Sequence, residues 1–164
     1  MSITVETIDD RLAAAGLRLP DSQTPNGNYI PFVVAGSQIL VAGQTCLVNG
    51  VLQYEGVVGD TVSLEDAQSA AQICALNALA AGQACEGDFT RLRVLKLTGY
   101  VRCIPEFGDQ PRVMDGASEL LILALGERGQ HVRAALGTNA LPRRAPVEIE
   151  TLFELLPPSN EGTK

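Results

Sequence analysis

The sequence predicts an α+β fold in which two long helices pack on one face of a β-sheet. Apolar residues recur at helical spacing over residues 63–82 and 111–125. Runs typical of β-strands lie before, between and after these two segments. Of the 164 residues, 46% are hydrophobic but only 4% are aromatic, so the core must consist of aliphatic side chains. A chain of this length fits one domain with one sizeable core.

The first third of the chain is predicted to hold a short helix and three strands. Gly16 and Pro20 are expected to end the helix, and a polar, glycine-containing loop follows it. The pairs Gly36-Ser37 and Asn49-Gly50 are typical of tight hairpin turns. The predicted elements are a helix over 5–17 and strands over 29–35, 38–44 and 51–55.

The remainder is predicted to alternate long helices with strands. Ser63 suits an N-cap, with Asp66 three positions later, and Gly82 or Gly87 is expected to end that helix. The predicted elements are helices over 63–82 and 111–125 and strands over 91–101, 131–137 and 146–155. Both long helices are expected on one face of the sheet. Only the short N-terminal helix remains to cover the other face of the sheet. This favours an oligomer, in which a second subunit covers that face.

Charge and cysteine usage exclude several classes of function. The formal net charge is −7 and only Arg143-Arg144 are adjacent basic residues, so no basic face for nucleic acid is expected. The four cysteines form no CxxC pair and there is one histidine, so no metal site is predicted. Buried thiols in a reducing compartment are expected. The polar N-terminus and the lack of a run of ~20 apolar residues predict a cytoplasmic protein without a membrane span.

Residues 131–150 carry most of the candidate chemistry. Arg133 stands at the head of an apolar strand, and Glu148 lies on the strand after the turn. A guanidinium can bind a carboxylate through two parallel hydrogen bonds, and a carboxyl group can transfer a proton or activate a water molecule. If the two strands lie near each other, these groups meet. From the residues alone, the alternative is an ion-paired surface arginine and two solvated carboxylates, Glu148 and Glu150, on one face.

Several of these residues together resemble the YjgF/RidA family, whose members are often labelled L-PSP endoribonucleases. The resemblance covers roughly residues 25–155, so the chain divides into an N-terminal helix and loop (1–24), the YjgF/RidA-like domain (25–157) and a polar tail (158–164). It is closer to a longer-chain branch of unassigned activity. The matching residues are Tyr29, Gly43-Gln44, Arg133, Leu141-Pro142 and Val147-Glu148-Ile149-Glu150, and the segments GASELL, HVRAALG and APVEIE mark the branch.

The resemblance implies a chorismate-mutase-like fold, a homotrimer with clefts between subunits, and no cofactor. In active members the arginine matching Arg133 binds the carboxylate of a 2-imino or 2-enamino acid, assisted by the backbone at the position of Gly43. The glutamate matching Glu148 activates the hydrolytic water, and the tyrosine matching Tyr29 lines the cleft. The products are a 2-oxo acid and ammonia. From the residues alone, Tyr29 also suits an amphipathic strand and Gly43 a bend in the sheet.

The sequence departs from the active members at two positions. Ala135 replaces a cysteine, although its backbone amide remains available to a ligand, and Met114 or Asp115 replaces an asparagine. An aspartate there would weaken binding of a carboxylate or change the substrate preference. These departures favour a second reading, a trimeric sensor that binds small carboxylate metabolites without turnover. A third reading, ribonuclease, rests only on the family label and conflicts with the negative charge. His131, the sole histidine, is expected on the same face as Arg133, in a structural role or at the cleft rim.

Overall fold

The computed structural model describes residues 7–25, 27–86 and 90–158. Within them the helices and strands follow the predicted order, with one short strand, β3, added before the second helix. The helices are α1 (Ile8–Ala14), α2 (Leu64–Glu86) and α3 (Gln110–Leu125). The strands are β1 (Phe32–Ala35), β2 (Gln38–Thr45), β3 (Leu47–Val48), β4 (Val51–Leu52), β5 (Leu92–Arg102), β6 (Val132–Thr138) and β7 (Val147–Leu155).

Five of the strands form one mixed sheet in the order β1-β2-β7-β5-β6. Neighbouring strands are antiparallel except β5 and β6, which are parallel because α3 crosses between them. β3 and β4 form a separate small hairpin. Its turn uses the predicted Asn49-Gly50 pair, and both residues have positive φ. The predicted α+β fold is confirmed.

The two long helices lie side by side on one face of the sheet, as predicted. The residues expected to face the core on α3 are all buried: Val113, Ala117, Leu120, Leu121 and Ala124. Gly116 brings the backbones together, since a Cβ there would overlap the carbonyl oxygen of Gln68 on α2. Ser63 caps α2 as predicted, because its hydroxyl accepts a hydrogen bond from the Asp66 amide at 3.0 Å.

Gly82 does not end α2, so that prediction is wrong; the alternative end, Gly87, lies outside the described residues. A Cβ at Gly82 would lie 3.1 Å from the Leu92 side chain and 3.5 Å from Phe153. The glycine therefore provides room for the helix to approach β5 and β7.

Two other predicted elements are shorter in the structure. The strand expected from Tyr29 begins at Phe32, since Pro31 has no amide hydrogen to donate to a sheet. The strand expected over 51–55 ends at Leu52. Gly56, at φ +138°, instead directs its amide hydrogen to the Arg144 carbonyl oxygen.

The short helix α1 packs against α3, so none of the described helices covers the opposite face of the sheet. The Thr7 hydroxyl and the Asp10 carboxylate form a capping box, and Ile8 and Leu12 are buried. The predicted helix over 5–17 is thus shortened at its C-terminus, where Gly16 has φ +72°. Residues 5 and 6 lie outside the described residues, as does the tail over 159–164.

The uncovered side of the sheet, here called the open face, carries exposed apolar side chains. Register pairs place Leu40, Leu152, Lys96 and Val132 in one row across it. Leu40 is 46% exposed, Val132 68%, and Leu136, further along β6, 49%. Apolar side chains at this exposure on one face of a sheet are typical of a surface that another subunit covers.

Candidate functional site

A cavity of about 250 Å³ lies at the β2–β7 end of the sheet and brings together three of the predicted site residues. Tyr29, Gly43 and Glu148 all line it, and Gln44 and Arg143 complete its polar wall. Tyr29 is 54% exposed, so its ring stands at the solvent side of the cavity. The cavity takes backbone and side chains from both sheet strands and from the loop before β1.

A bulge in β2 places Gly43 directly beneath the Glu148 carboxyl group. The register of β2 against β7 shifts by one residue between Val41 and Gln44, which leaves the backbone around Gly43 out of the ladder. A Cβ at Gly43 would overlap the Glu148 Oε1 atom and lie 3.1 Å from its Cδ. Glycine at this position is therefore what lets the carboxyl group fold over the strand.

The environment of Glu148 favours its protonated form. Burial raises the pKa of Glu148, and the negative charge of Glu150 raises it further. Glu150 accepts a hydrogen bond from the Tyr100 hydroxyl at 3.1 Å. The expectation that both glutamates share one face is confirmed. A carboxyl group that keeps its proton closer to neutral pH is suited to proton transfer.

Arg133 lies elsewhere, on the side of β6 that faces α3. Its Nη1 contacts the Asp115 carboxylate and the Ser118 hydroxyl, each at 3.0 Å, and its Nη2 donates to the Pro111 carbonyl oxygen at 3.1 Å. The arginine side chain is only 24% exposed. Among the described residues, these contacts take three of the five N–H donors of the guanidinium and leave two for a ligand.

Met114 and Asp115 have different surroundings in the structure. Met114 is fully buried and occupies the space above Gly99, where a Cβ would overlap its sulfur. Asp115 lies at the Arg133 guanidinium, with its side chain 47% exposed. A carboxylate thus stands beside the candidate clamp, and its match to the asparagine of active members stays a prediction.

Arg133 and Glu148 do not form one site within a single chain. Register pairs align Arg133 with Leu97 and Glu148 with Tyr100 on the intervening strand β5. Leu97 and Tyr100 are three residues apart, so they and their partners point to opposite faces. The chain therefore holds two separate groups of candidate residues, the cavity around Glu148 and the clamp around Arg133.

Two further predicted residues, Ala135 and His131, lie with the clamp. Ala135 follows Arg133 by two residues on β6 and is half-buried against the core. The His131 ring contacts the Gly129 carbonyl oxygen through Nδ1 at 2.6 Å and the Ser118 hydroxyl through Nε2 at 3.0 Å. His131 and Arg133 thus meet at the same serine, which agrees with their expected common face.

Sequence reasoning missed Ser118 and Arg143. Ser118 follows Asp115 by three residues on α3, and that helical spacing was the available signal for a shared face. Arg143 is exposed in the turn before β7 and also lines the cavity, at φ +55°, with its Nη1 donating to the Gly50 carbonyl oxygen at 3.3 Å.

The part of the chain that the structure describes contains no group of three or more His, Cys, Asp or Glu side chains placed to hold a metal ion. The described cysteines form no disulfide with one another; Cys46 and Cys74 are buried, and Cys85 and Cys103 are half-buried. No helix among the described residues is both long and apolar enough to cross a membrane.

Comparison with known proteins finds relatives of similar length. The family model described as "YjgF/chorismate mutase-like, putative endoribonuclease" matches residues 9–154. Protein TCP17 of Trypanosoma cruzi is 38% identical over 148 residues, which cover 88% of this chain and 91% of that protein.

Two crystal structures also share the fold. The protein Atu1372 of Agrobacterium tumefaciens, described as having unknown function, is 41% identical with a TM-score of 0.85, covering 90% of this chain and 92% of that chain. A "putative endoribonuclease" from Shewanella oneidensis is 31% identical with a TM-score of 0.87, covering 91% and 99%. The predicted resemblance is confirmed at the level of sequence and of structure.

Proposed function

Because this chain belongs to the YjgF/chorismate mutase-like family, we propose that it is a homotrimeric deaminase of small 2-imino and 2-enamino acids. Its products would be the corresponding 2-oxo acid and ammonia. The observation that carries the proposal is the division of the candidate residues into two groups on opposite faces of one chain. Each group is incomplete by itself, and a neighbouring subunit would supply the other.

The exposed surface supports an assembly of that kind. β6 is an edge strand, and its residues Val132 and Leu136 are exposed on the open face. Packing this surface against a second subunit would bury apolar area and bring the Arg133 end of one chain toward a neighbour. Three such contacts in a closed ring would form three equivalent clefts, each with an arginine clamp from one chain and a glutamate from the next.

The chemistry needs only these groups and water. Arg133 would bind the substrate carboxylate through its two remaining N–H donors, and the backbone at Gly43 would assist. A water molecule adds through its oxygen to C2 of the C=N bond, and one water proton passes by way of Glu148 to the nitrogen. The remaining hydroxyl proton passes by the same carboxyl group to the nitrogen as the C2–N bond breaks, so that ammonia leaves and the C2–O bond becomes the carbonyl of the 2-oxo acid. An imine carbon is already electrophilic, so positioning and one proton relay are sufficient.

The first test is deamination of 2-imino acids made in situ by an amino-acid oxidase, with semicarbazide as the competing trap. Wild type is expected to suppress semicarbazone formation, whereas Arg133→Ala and Glu148→Gln are expected to lose the effect. Arg112→Ala is the matched control, because Arg112 is an exposed arginine on the same helix as Asp115 and pairs with Asp109 at 3.1 Å. Wild type without effect on imino acids of several side-chain sizes would contradict the proposal.

The Asp115–Arg133 ion pair favours a second candidate, a trimeric protein that binds a small carboxylate metabolite without turnover. The aspartate competes with the ligand for the guanidinium, and Ala135 lacks the thiol of active relatives. Calorimetric binding of a 2-oxo acid that requires Arg133, together with no imine hydrolysis, would support this alternative. Sedimentation of a stable monomer would contradict both candidates, since neither group of residues is complete in one chain.

A further inference from the structure

We propose that Ser118 and His131 are a positioning pair that holds Arg133 ready for a ligand carboxylate. This inference rests on the proposed role of Arg133 as the carboxylate clamp. It applies equally to an enzyme and to a binding protein, because both need that clamp.

The directions of the hydrogen bonds around His131 follow from their chemistry. The Gly129 carbonyl oxygen can only accept, so the hydrogen of the neutral imidazole is on Nδ1, 2.6 Å away. Nε2 is then an acceptor and takes the hydroxyl hydrogen of Ser118 at 3.0 Å. The guanidinium of Arg133 can only donate, so the Ser118 oxygen accepts from its Nη1, also at 3.0 Å. With a neutral ring, the hydrogen bonds from the Gly129 carbonyl oxygen through His131 and Ser118 to Arg133 can be arranged in only one way.

This arrangement limits how far Arg133 engages Asp115. Nη1 carries two hydrogens, and Ser118 accepts one while Asp115 accepts the other. Without the hydroxyl, both Nη1 hydrogens become available to the carboxylate. A fuller pairing with Asp115 would strengthen the internal ion pair at the expense of an external carboxylate. His131 contributes by holding the Ser118 hydroxyl hydrogen away from the arginine.

The test measures the Kd of 2-oxobutanoate by calorimetry, and KM and kcat in the imine assay. Ser118→Ala and His131→Asn are each expected to raise Kd and KM by about three- to tenfold, which corresponds to the loss of one hydrogen bond, with little change in kcat. Ser69→Ala is the matched control, since the Ser69 hydroxyl donates to the Glu65 carbonyl oxygen within its own helix.

Two rescue variants separate positioning from general damage. His131→Gln is expected to bind like wild type, because the glutamine amide oxygen can accept from Ser118 where Nε2 does, whereas the shorter asparagine amide cannot. Ser118→Ala combined with Asp115→Asn is expected to recover the affinity lost in Ser118→Ala, because the competing carboxylate is removed. If Ser118→Ala fails to fold, the comparison of His131→Asn with His131→Gln decides the question.

The chain has one histidine, so its ring nitrogens can be assigned directly by ¹⁵N NMR. We expect the Nδ1–H tautomer in wild type and a changed Nε2 signal in Ser118→Ala but not in Ser69→Ala. Unchanged Kd in Ser118→Ala and His131→Asn, with binding lost in Arg133→Ala, would overturn this inference and leave the proposed function standing. Unchanged binding in Arg133→Ala would overturn both.

Discussion

Replacing Gly43 with alanine tests whether the position of the Glu148 carboxyl group matters. The added Cβ would overlap Oε1 and lie 3.1 Å from Cδ, whereas ordinary contact begins at 3.4 Å. Gly43 is not among the residues with positive φ, so alanine fits the backbone. The glutamate is the flexible partner, and its carboxyl oxygen must therefore move by about 1 Å to restore ordinary contact.

The expected cost falls on catalysis and not on folding. A displacement of about 1 Å at a catalytic group lowers the rate by about 100-fold, equivalent to about 2.7 kcal/mol in the activation free energy. The displaced carboxyl group also regains water, so its pKa falls toward the ordinary range. The acid limb of log(kcat/KM) is then expected at lower pH in Gly43→Ala than in wild type, if Glu148 accepts the proton of the water.

The imine assay over a range of pH values measures both effects, with thermal unfolding as the check on folding. Gly108→Ala is the control, because a Cβ there meets no atom within 4 Å. In the double variant with Glu148→Gln, the two losses are expected to be far from additive, since both act through one carboxyl group. Additive losses, or full activity in Gly43→Ala where Glu148→Gln is impaired, would refute the reasoning.

Three further predictions concern stability and assembly. Because the pKa of Glu148 is raised in the folded state, folding stability is lost as the pH rises through that folded-state pKa. Glu148→Gln is therefore expected to raise Tm, measured by calorimetry, at pH 7 but not at pH 3. An equal gain in Tm at both pH values would contradict this. Gly116→Ala is expected to destabilise by about 1–3 kcal/mol in urea titrations, because its Cβ meets backbone on α2; a gain, as helix propensity alone would give, would contradict it. Leu136→Asp is expected to lower the sedimenting mass and to abolish activity. The control Ile122→Asp, at an exposed position on α3, is expected to leave both unchanged. An unchanged mass for Leu136→Asp would count against the open face as an interface.

Local periodicity was enough to predict most of the fold. The strands predicted over 91–101, 131–137 and 146–155 are β5, β6 and β7. Five of their six ends lie one residue later than predicted, and the sixth agrees. Buried side chains recur every 3.6 residues on a helix and every two residues on a strand, so the spacing of apolar residues in the sequence predicts which face is buried. The hairpin at Gly36-Ser37 was equally visible, and Gly36 has φ +64° as such a turn requires.

Predictions failed where a residue serves a distant neighbour. Gly82 has the appearance of a helix end, but it is small because Leu92 and Phe153 lie against it. Ser118 has the appearance of a surface helix residue, yet it joins His131 to Arg133. Such roles depend on contacts between residues far apart in the chain, which local patterns do not record.

The sequence by itself determined which chemical groups are available: one arginine on an apolar strand, a pair of alternating glutamates and one histidine. Only the tertiary structure decided how they are grouped. β5 lies between β6 and β7, and the three-residue offset between Leu97 and Tyr100 sends their partners to opposite faces. Strand order and register follow from packing of the whole sheet against α2 and α3, so they place Arg133 with Asp115 and Glu148 over Gly43.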